Sequence, residues 1–389
     1  MPTDQNSEGQ RPAPRLLYVA AADFAFLSHR LPMARAARAA GFDVHVATQV
    51  QNGAAAIEAE GFTLHPIPFA RGSLSPFSHL QTITALRRVH RDVAPDITHH
   101  AGMQACVLGM IATLDRGSTC VNALIGMGYS FTTNTYRARA LRWAISAMLR
   151  LLFNRKGSTA LVQNADDLAT LTALGIRDSQ IVLIEGSGVD TTRFQPLPEP
   201  QEAPTFGFVG RLIDDKGVRI VVDALRLLRK RGPDARLLIA GTPDPGNPGS
   251  VMEAEAKSWS REPGISWLGH VNDIAGLWKR AHVAVLPSRR EGLPMALLEA
   301  AACGRSMIAT DVPGCREVVI PDRTGFLVPV DDPKALSDAM FRLATDPGLR
   351  DVYAAAARDL VVERFSAEIV GQQTVALYRR LLAEHAAAH

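Results

Sequence analysis

Residues 205–240 read TFGFVGRLIDDKGVRIVVDALRLLRKRGPDARLLIA. Thr205–Val209 is a short apolar run, Gly210–Lys216 a polar turn, Gly217–Arg231 a helical stretch and Arg236–Ala240 a second apolar run. Strand, helix, strand in that order predicts parallel sheet. Downstream the alternation continues through helix Ser250–Arg261, strand Ile265–Leu268, helix Ile274–Ala281, strand Val283–Leu286, helix Pro294–Cys303 and strands Met307–Thr310 and Gly325–Val328. The closing segment 333–388 reads as helical throughout. Upstream, Pro196, Pro198, Pro200 and Pro204 gather where the pattern stops, the composition of a linker. Before them runs a first series: strands Leu16–Ala21, Val44–Ala47, Leu64–Pro66, Ile97–His99, Cys120–Ala123, Ala160–Gln163 and Ile181–Ile184, with helices such as 76–93, 138–153 and 166–174 between.

The reading is therefore α/β, with two facing Rossmann-like domains of parallel sheet: 15–190, a linker 191–204, 205–365, and a C-terminal helix 366–389 that crosses back to the first domain. At 389 residues and 47% hydrophobic content the chain has material for two sizeable cores. A net charge of +3 is too small for a whole-protein electrostatic partner, so nucleic acid is excluded. Cys106, Cys120, Cys303 and Cys315 are widely spaced, which suggests neither a zinc site nor a disulfide framework and favours a reducing, cytoplasmic setting. Residues 1–14 read as a loose tail without the order of a signal peptide, and no stretch is long enough to span a membrane.

The residues that can carry chemistry gather in the second series. Arg211 and Lys216 stand in the turn after Thr205–Val209. Open α/β sheets bind ligands at the carboxyl ends of their strands, so the two cations can hold a diphosphate there while Gly210 and Gly217 let backbone approach. Pairing of the same cations with Asp214, Asp215 or solvent is the competing reading, and spacing alone does not separate the two. Residues 287–301 read PSRREGLPMALLEAA. Glu291 precedes a helix whose first turn suits Pro294, and Glu299 projects from its second turn. Free N–H groups over Leu293–Ala296, aided by the helix dipole, form an anion site. Glu299 can accept from ribose hydroxyls and Glu291 from those of a sugar. Alternatively Glu291 caps the helix or pairs with Arg289, and Glu299 is a buried salt-bridge partner.

Taken together, the Gly210–Arg211 and Lys216–Gly217 turn and the Glu291-x7-Glu299 element resemble family 4 of the retaining glycosyltransferases, which have the GT-B fold. The resemblance covers nearly the whole chain after Pro14. The segments FLSHRLP (26–32), GMGY (126–129), GSGVD (186–190), DPGNP (244–248) and DVPGCRE (311–317) are similar to those of bacterial capsular, exopolysaccharide and lipid-linked-oligosaccharide transferases. The resemblance implies that Arg211 and Lys216 hold the donor diphosphate and, with Glu291, carry catalysis. It implies that Glu299 binds the ribose, and that Glu291 with Gly292, Leu293, Pro294 and Met295 orients the donor sugar. His270 falls where such enzymes place the nucleotide base, although it also reads as an ordinary surface histidine. No Asp-x-Asp occurs, so metal independence is expected, with no cofactor beyond the UDP-sugar donor. Residues 22–26 lack the glycines of the usual first turn, which shifts acceptor or phosphate contacts to Ser28, His29 and Arg30. Ile125 stands in place of a histidine and Gln104 in place of a lysine. His99 and His100 are the nearest replacements, although lone histidines more often serve structure than catalysis, and Gly126 and Gly128 complete the acceptor-side candidates.

Between Gly61 and Ala160 eleven Lys and Arg face only three Asp. After Tyr136, Leu141, Ile145, Met148 and Leu152 share one helical face, Arg139, Arg142 and Arg150 lie along another, and Trp143 is nearby. Such a helix fits a membrane interface, or a core contact with a solvated basic face. The polyprenyl-diphosphate acceptor that the resemblance implies favours an anionic membrane surface and a cytoplasmic protein attached peripherally to the inner face of the plasma membrane. The expected activity is retaining transfer of a sugar, an N-acetylhexosamine among the candidates, from a UDP-sugar to a lipid-linked saccharide in surface-polysaccharide assembly. The rivals are a nucleotide-sugar epimerase or hydrolase of the same fold, and a two-domain small-molecule binding protein without turnover. A dinucleotide oxidoreductase is weaker, because no complete G-x-G-x-x-G follows the first strand.

Overall fold

The computed structural model describes residues 13–69, 75–115, 117–124 and 136–387, with side chains from 145 onward in the last range. The chain divides into two compact units, Met1–Ala123 with Ile145–Ala160 and Thr374–His389, and Leu124–Ala144 with Leu161–Gln373.

The first sheet has seven strands: β1 (Arg15–Ala20), β2 (Asp43–Thr48), β3 (Thr63–Pro66), β4 (Ile97–Ala101), β5 (Thr119–Ala123), β6 (Ser158–Val162) and β7 (Ile181–Leu183), in the order β3-β2-β1-β4-β5-β6-β7. The second has six: β8 (Thr205–Val209), β9 (Arg236–Ala240), β10 (Ile265–Trp267), β11 (Val283–Leu286), β12 (Ser306–Thr310) and β13 (Gly325–Val328), in the order β10-β9-β8-β11-β12-β13. β1 lies parallel to both β2 and β4, and β8 to both β9 and β11. The near-continuous apolar strands of the sequence follow from this: a parallel sheet covered by helices is buried on both faces, as Leu16–Ala20 and Val283–Leu286 are. Strand order reverses at β1/β4 and at β8/β11, and a doubly wound sheet opens a crevice at such a point because successive connections leave on opposite faces.

The proline-rich segment is pinned along the second unit. The Leu197 N–H donates to the Cys303 carbonyl (3.1 Å), Arg305 donates to the Pro198 carbonyl (2.9 Å), Glu199 pairs with Arg350 (2.5 Å) and Glu202 pairs with Arg236 (2.7 Å). The closing segment is broken rather than helical throughout. Asp346 ends helix Pro333–Thr345 and caps the next, Pro347–Leu360, by accepting from the Leu349 N–H (2.9 Å); helix Ala367–Ala387 follows. That last helix ends in the first unit, where Tyr378 packs edge-on against Phe42 of that unit. The basic helix is Tyr136–Phe153. Leu149, Leu152 and Phe153 are buried, Arg150 is exposed, and Leu151 is 73% exposed on its outer side.

Candidate active site

The turn after β8 and the loop after β11 both leave carboxyl ends of adjacent strands at the reversal point of the second sheet. Glycine makes their approach possible. Gly217, at φ +71°, closes a short turn over Asp214–Lys216 and opens helix Val218–Arg229; a Cβ on it would lie 2.2 Å from the Pro287 carbonyl oxygen. Lys216 is thereby brought to the β11 loop, where its Nζ meets Glu291 Oε1 at 2.5 Å. Ser288 Oγ donates to the same oxygen at 2.6 Å, and Thr310 in turn donates to the Ser288 carbonyl.

Arg211 and Lys216 do pair with carboxylates, but not with those of their own turn. Arg211 pairs with Asp244 (2.7 Å), not with its neighbours in the turn. Asp214 is taken by Arg219, Asp215 by Arg290 (2.6 Å), and Arg289 by Asp331 (3.0 Å), so Glu291 is left to Lys216. Helix Met295–Ala302 begins one residue later than expected, with Pro294 in the capping position at φ −78° and ψ 103°. Among the described residues no acceptor takes the N–H groups of Leu293, Met295 or Ala296. Leu293 and Met295, on either side of Pro294, thus carry untaken backbone donors in the segment that follows Glu291.

Among the described residues Glu299 makes no salt bridge. It lies half-buried on the helix, and no described residue donates a hydrogen bond to its carboxylate. Burial pushes its pKa up to about 7, with the Arg193 charge pulling the other way. A desolvated carboxylate without a donor is what a ligand hydroxyl would satisfy. His270 is exposed after Gly269, its Nε2 3.0 Å from Asn272 Oδ1, as a surface histidine would be. Gly210 donates its N–H to the Ala240 carbonyl (3.0 Å), holding the start of the turn to the end of β9. Among the described residues no group of three His, Cys, Asp or Glu is placed to hold a metal ion.

The acceptor-side candidates of the first unit fall differently. Ser28 lies on the short helix Asp23–His29 with its Oγ turned back to the Phe24 carbonyl (2.7 Å), and His29 ends that helix. Arg30, His99 and His100 are fully buried. His99 stacks on Tyr18 (ring centroids 4.8 Å) with Nδ1 2.6 Å from the Tyr378 hydroxyl, which itself lies 2.8 Å from that of Tyr18. His100 Nδ1 meets Asn122 Oδ1 at 2.8 Å, and its ring fills the space a side chain at position 109 would need. Both histidines are core groups in this structure, with no face open to an acceptor. Ile125, Gly126 and Gly128 lie outside the described residues.

Several contacts around the candidate site have no signal in the sequence. Asp244 and Ser288 sit inside quoted motifs, but nothing in their spacing identifies Arg211 or Glu291 as the partner. In the glycine-free first turn the Asp23 carboxylate accepts the N–H groups of Gln51, Asn52 and Gly53 at 2.7–3.0 Å, tying the loop after β2 to that turn. Burial raises its pKa, but those bonds and one from Phe24 outweigh it and hold the carboxyl below the usual range. Asn164 carried only the signal of a helix cap, an Asn just ahead of Ala165–Ala173.

A family described as "Glycosyl transferases group 1" matches residues 203–346, and "Glycosyl transferase 4-like" matches 15–164. Over most of its length the chain is 24% identical to the N,N'-diacetylbacillosaminyl-diphospho-undecaprenol alpha-1,3-N-acetylgalactosaminyltransferase of Campylobacter jejuni, covering 92% of this chain and 98% of that one. It is 22% identical to the capsular polysaccharide biosynthesis glycosyltransferase CapM of Staphylococcus aureus, covering 89% and 92%. Among solved structures, sucrose-phosphate synthase from Thermosynechococcus elongatus superposes with a TM-score of 0.78 at 19% identity (95% and 100% covered). HepE of Anabaena, solved with UDP-glucose, gives 0.77 at 17% (94% and 99%). The two family matches make the protein a glycosyltransferase, and the two parallel sheets give it the GT-B fold. It belongs to the group 1, family 4 glycosyltransferases.

Proposed function

We propose that the enzyme moves a sugar, with an N-acetylhexosamine as the first donor to try, from a UDP-sugar to a polyprenyl-diphosphate-linked saccharide, with retention and without a metal. The observation that carries this reading is the Lys216–Glu291 pair at the β8/β11 reversal, because both partners keep unused capacity. Lys216 Nζ has three donors and gives one to Glu291; the others can meet phosphate oxygens. Arg211, paired among the described residues through Nη1, adds a fork for the same diphosphate. Glu291 spends Oε1 on Lys216 and Ser288, leaving Oε2 for a donor-sugar hydroxyl. Backbone N–H groups at the start of helix Met295–Ala302 and the two cations stabilise the charge that grows as UDP departs.

In the step so arranged, the bond from the anomeric carbon to the β-phosphate oxygen breaks and a bond to the acceptor hydroxyl oxygen forms on the same face. The acceptor proton passes to the departing phosphate, so no protein base is required. The Campylobacter relative, whose name specifies a diphospho-undecaprenol acceptor, supports the choice of acceptor, and HepE, solved with UDP-glucose, supports the choice of nucleotide. The basic excess between Gly61 and Ala160 and the exposed Arg150 and Leu151 support attachment to the inner face of an anionic membrane. Among the described residues no helix is long and apolar enough to cross a membrane.

The test is UDP release over a panel of UDP-sugars in EDTA, with and without a lipid-linked saccharide extract. Acceptor-dependent release is expected. Conversion without acceptor would replace transfer by epimerisation or hydrolysis, and release abolished by EDTA would remove metal independence.

A further inference from the structure

We propose that Asn164 is a positioning residue for the donor loop: it fixes the Gly292–Leu293 peptide so that the Leu293 N–H faces the donor phosphate. The proposal rests on the donor-site reading above. Asn164 is fully buried at the cap of helix Ala165–Ala173, where its Oδ1 accepts from the Asp167 N–H at 2.7 Å. Capping needs that oxygen alone, and Ser, Thr or Asp serves as well. The amide nitrogen does something a cap does not require. It donates to Asp167 Oδ2 (3.0 Å) and, 128 residues along the chain, to the Gly292 carbonyl (2.9 Å).

In a trans peptide the carbonyl and N–H point in opposite directions. Tying the Gly292 carbonyl to Asn164 therefore aims the Leu293 N–H away from it, and no described residue accepts that N–H. Pro294 has none of its own, so Leu293 supplies the last donor before the helix. The same peptide is held from two further sides. Gly314, at φ +78°, leaves room for the Gly292 carbonyl, which would lie 2.3 Å from a Cβ there. Gly186, at φ +87°, leaves room for the buried Leu293 side chain, which would lie 2.6 Å from one. One glycine from each of GSGVD and DVPGCRE thus lines the Gly292–Leu293 segment, Gly314 at its carbonyl and Gly186 at its side chain.

Asn164→Ser keeps the cap and is too short to reach Gly292; Asn164→Asp keeps it and offers the carbonyl an acceptor instead of a donor. Calorimetric titration of each with UDP and with uridine, beside thermal melts, separates positioning from stability. The expected result for both variants is UDP affinity about tenfold weaker, the size of one lost bond to an anion, with uridine affinity unchanged; melting falls because the Gly292 carbonyl loses its donor, and further in Asn164→Asp, whose carboxylate faces that of Asp167. Wild-type UDP affinity in Asn164→Ser, or an equal loss for UDP and uridine, overturns the proposal. Failure of the wild-type protein itself to bind UDP, or any nucleoside diphosphate, overturns the donor-site reading first and this proposal with it.

Discussion

Arg30 and His99 in the first unit and Lys216 and Glu291 in the second are both polar clusters at a reversal of strand order, yet their surroundings are opposite. Arg30 is wholly buried, its Nη1 only 3.4 Å from the His29 carbonyl and 3.6 Å from Met33 Sδ, while Nε and Nη2 have no partner among the described residues. Burial holds its pKa down and keeps His99 neutral, His99 being lowered further by the charges of Arg30 and His100. Lys216 and Glu291 are paired at 2.5 Å with side chains 23% and 8% exposed, so each retains a route to a ligand. A strand-end location is therefore insufficient for a site. What distinguishes the two clusters is whether spare hydrogen-bonding capacity can be reached from outside.

Lys216→Ala should give the largest effect, a loss of transfer of about 10²–10³-fold, typical of removing a preorganised electrostatic donor, with a fall in melting because Glu291 loses its counter-ion. Arg30→Met should do the reverse. Replacing a buried charge that lacks a counter-ion with an apolar side chain of similar length should leave transfer intact and melting equal or higher. Loss of transfer by Arg30→Met at unchanged melting would break the comparison and return Arg30 to the acceptor site. Next in size is Tyr378→Phe. It strips the hydroxyl shared with Tyr18 and His99, leaving two buried groups unpaired at a cost of about 1–3 kcal/mol, read as a fall in melting temperature without a change in KM for the donor.

How far the sequence told these clusters apart follows from what each reading could use. Alternating apolar runs identify parallel strands because such strands are buried on both faces, and β1 to β13 emerge within a residue or two of the expected runs. The turns that carry Lys216 and Glu291 were legible because Gly217 and Pro294 punctuate the chain there. His99 and His100 were misleading for the same reason the strands were clear. Both stand near the carboxyl end of β4, but register pairs His99 with Tyr18 and His100 with Val19, inside the sheet rather than above it. The Asn164–Gly292 bond has no local signature at all, since its partners are 128 residues apart.

The buried histidines offer a smaller effect with a definite sign. His100 is pushed down to about 3 by burial, against the bond to Asn122, and His99 lies well below its usual 6.5. The unfolded chain then binds more protons than the folded one below about pH 6.5. Stability is full above that pH and declines as pH falls, by up to about 1.4 kcal/mol per pH unit for each such histidine. Denaturant melts between pH 7 and 4 should show this slope, and His100→Gln should make it shallower. An unchanged slope would mean that the ring of His100 is open to protons in the folded protein, contrary to its burial.

The smallest effect should come from Glu299→Gln, and it bears on the donor side of the contrast. The carboxyl holds its proton more tightly folded than unfolded, with a pKa raised from 4.5 to about 7 by burial. Its contribution to stability is therefore full below about pH 4.5 and is lost as pH rises through 7, where the buried charge opposes folding. Glutamine carries no charge, so the variant should melt above wild type at pH 8, and the difference should shrink by pH 5.5. UDP affinity should move the other way. An ionised carboxylate accepts ribose hydroxyls better than an amide, so wild-type affinity should weaken several-fold as pH falls through 7, whereas the variant should be weaker at pH 8 and flat with pH. A residue kept at a cost to stability and recovered in binding is a ligand group. A variant that is more stable at pH 8 and binds UDP as tightly as wild type would show that Glu299 touches no donor, and would make it the second unit's counterpart of Arg30.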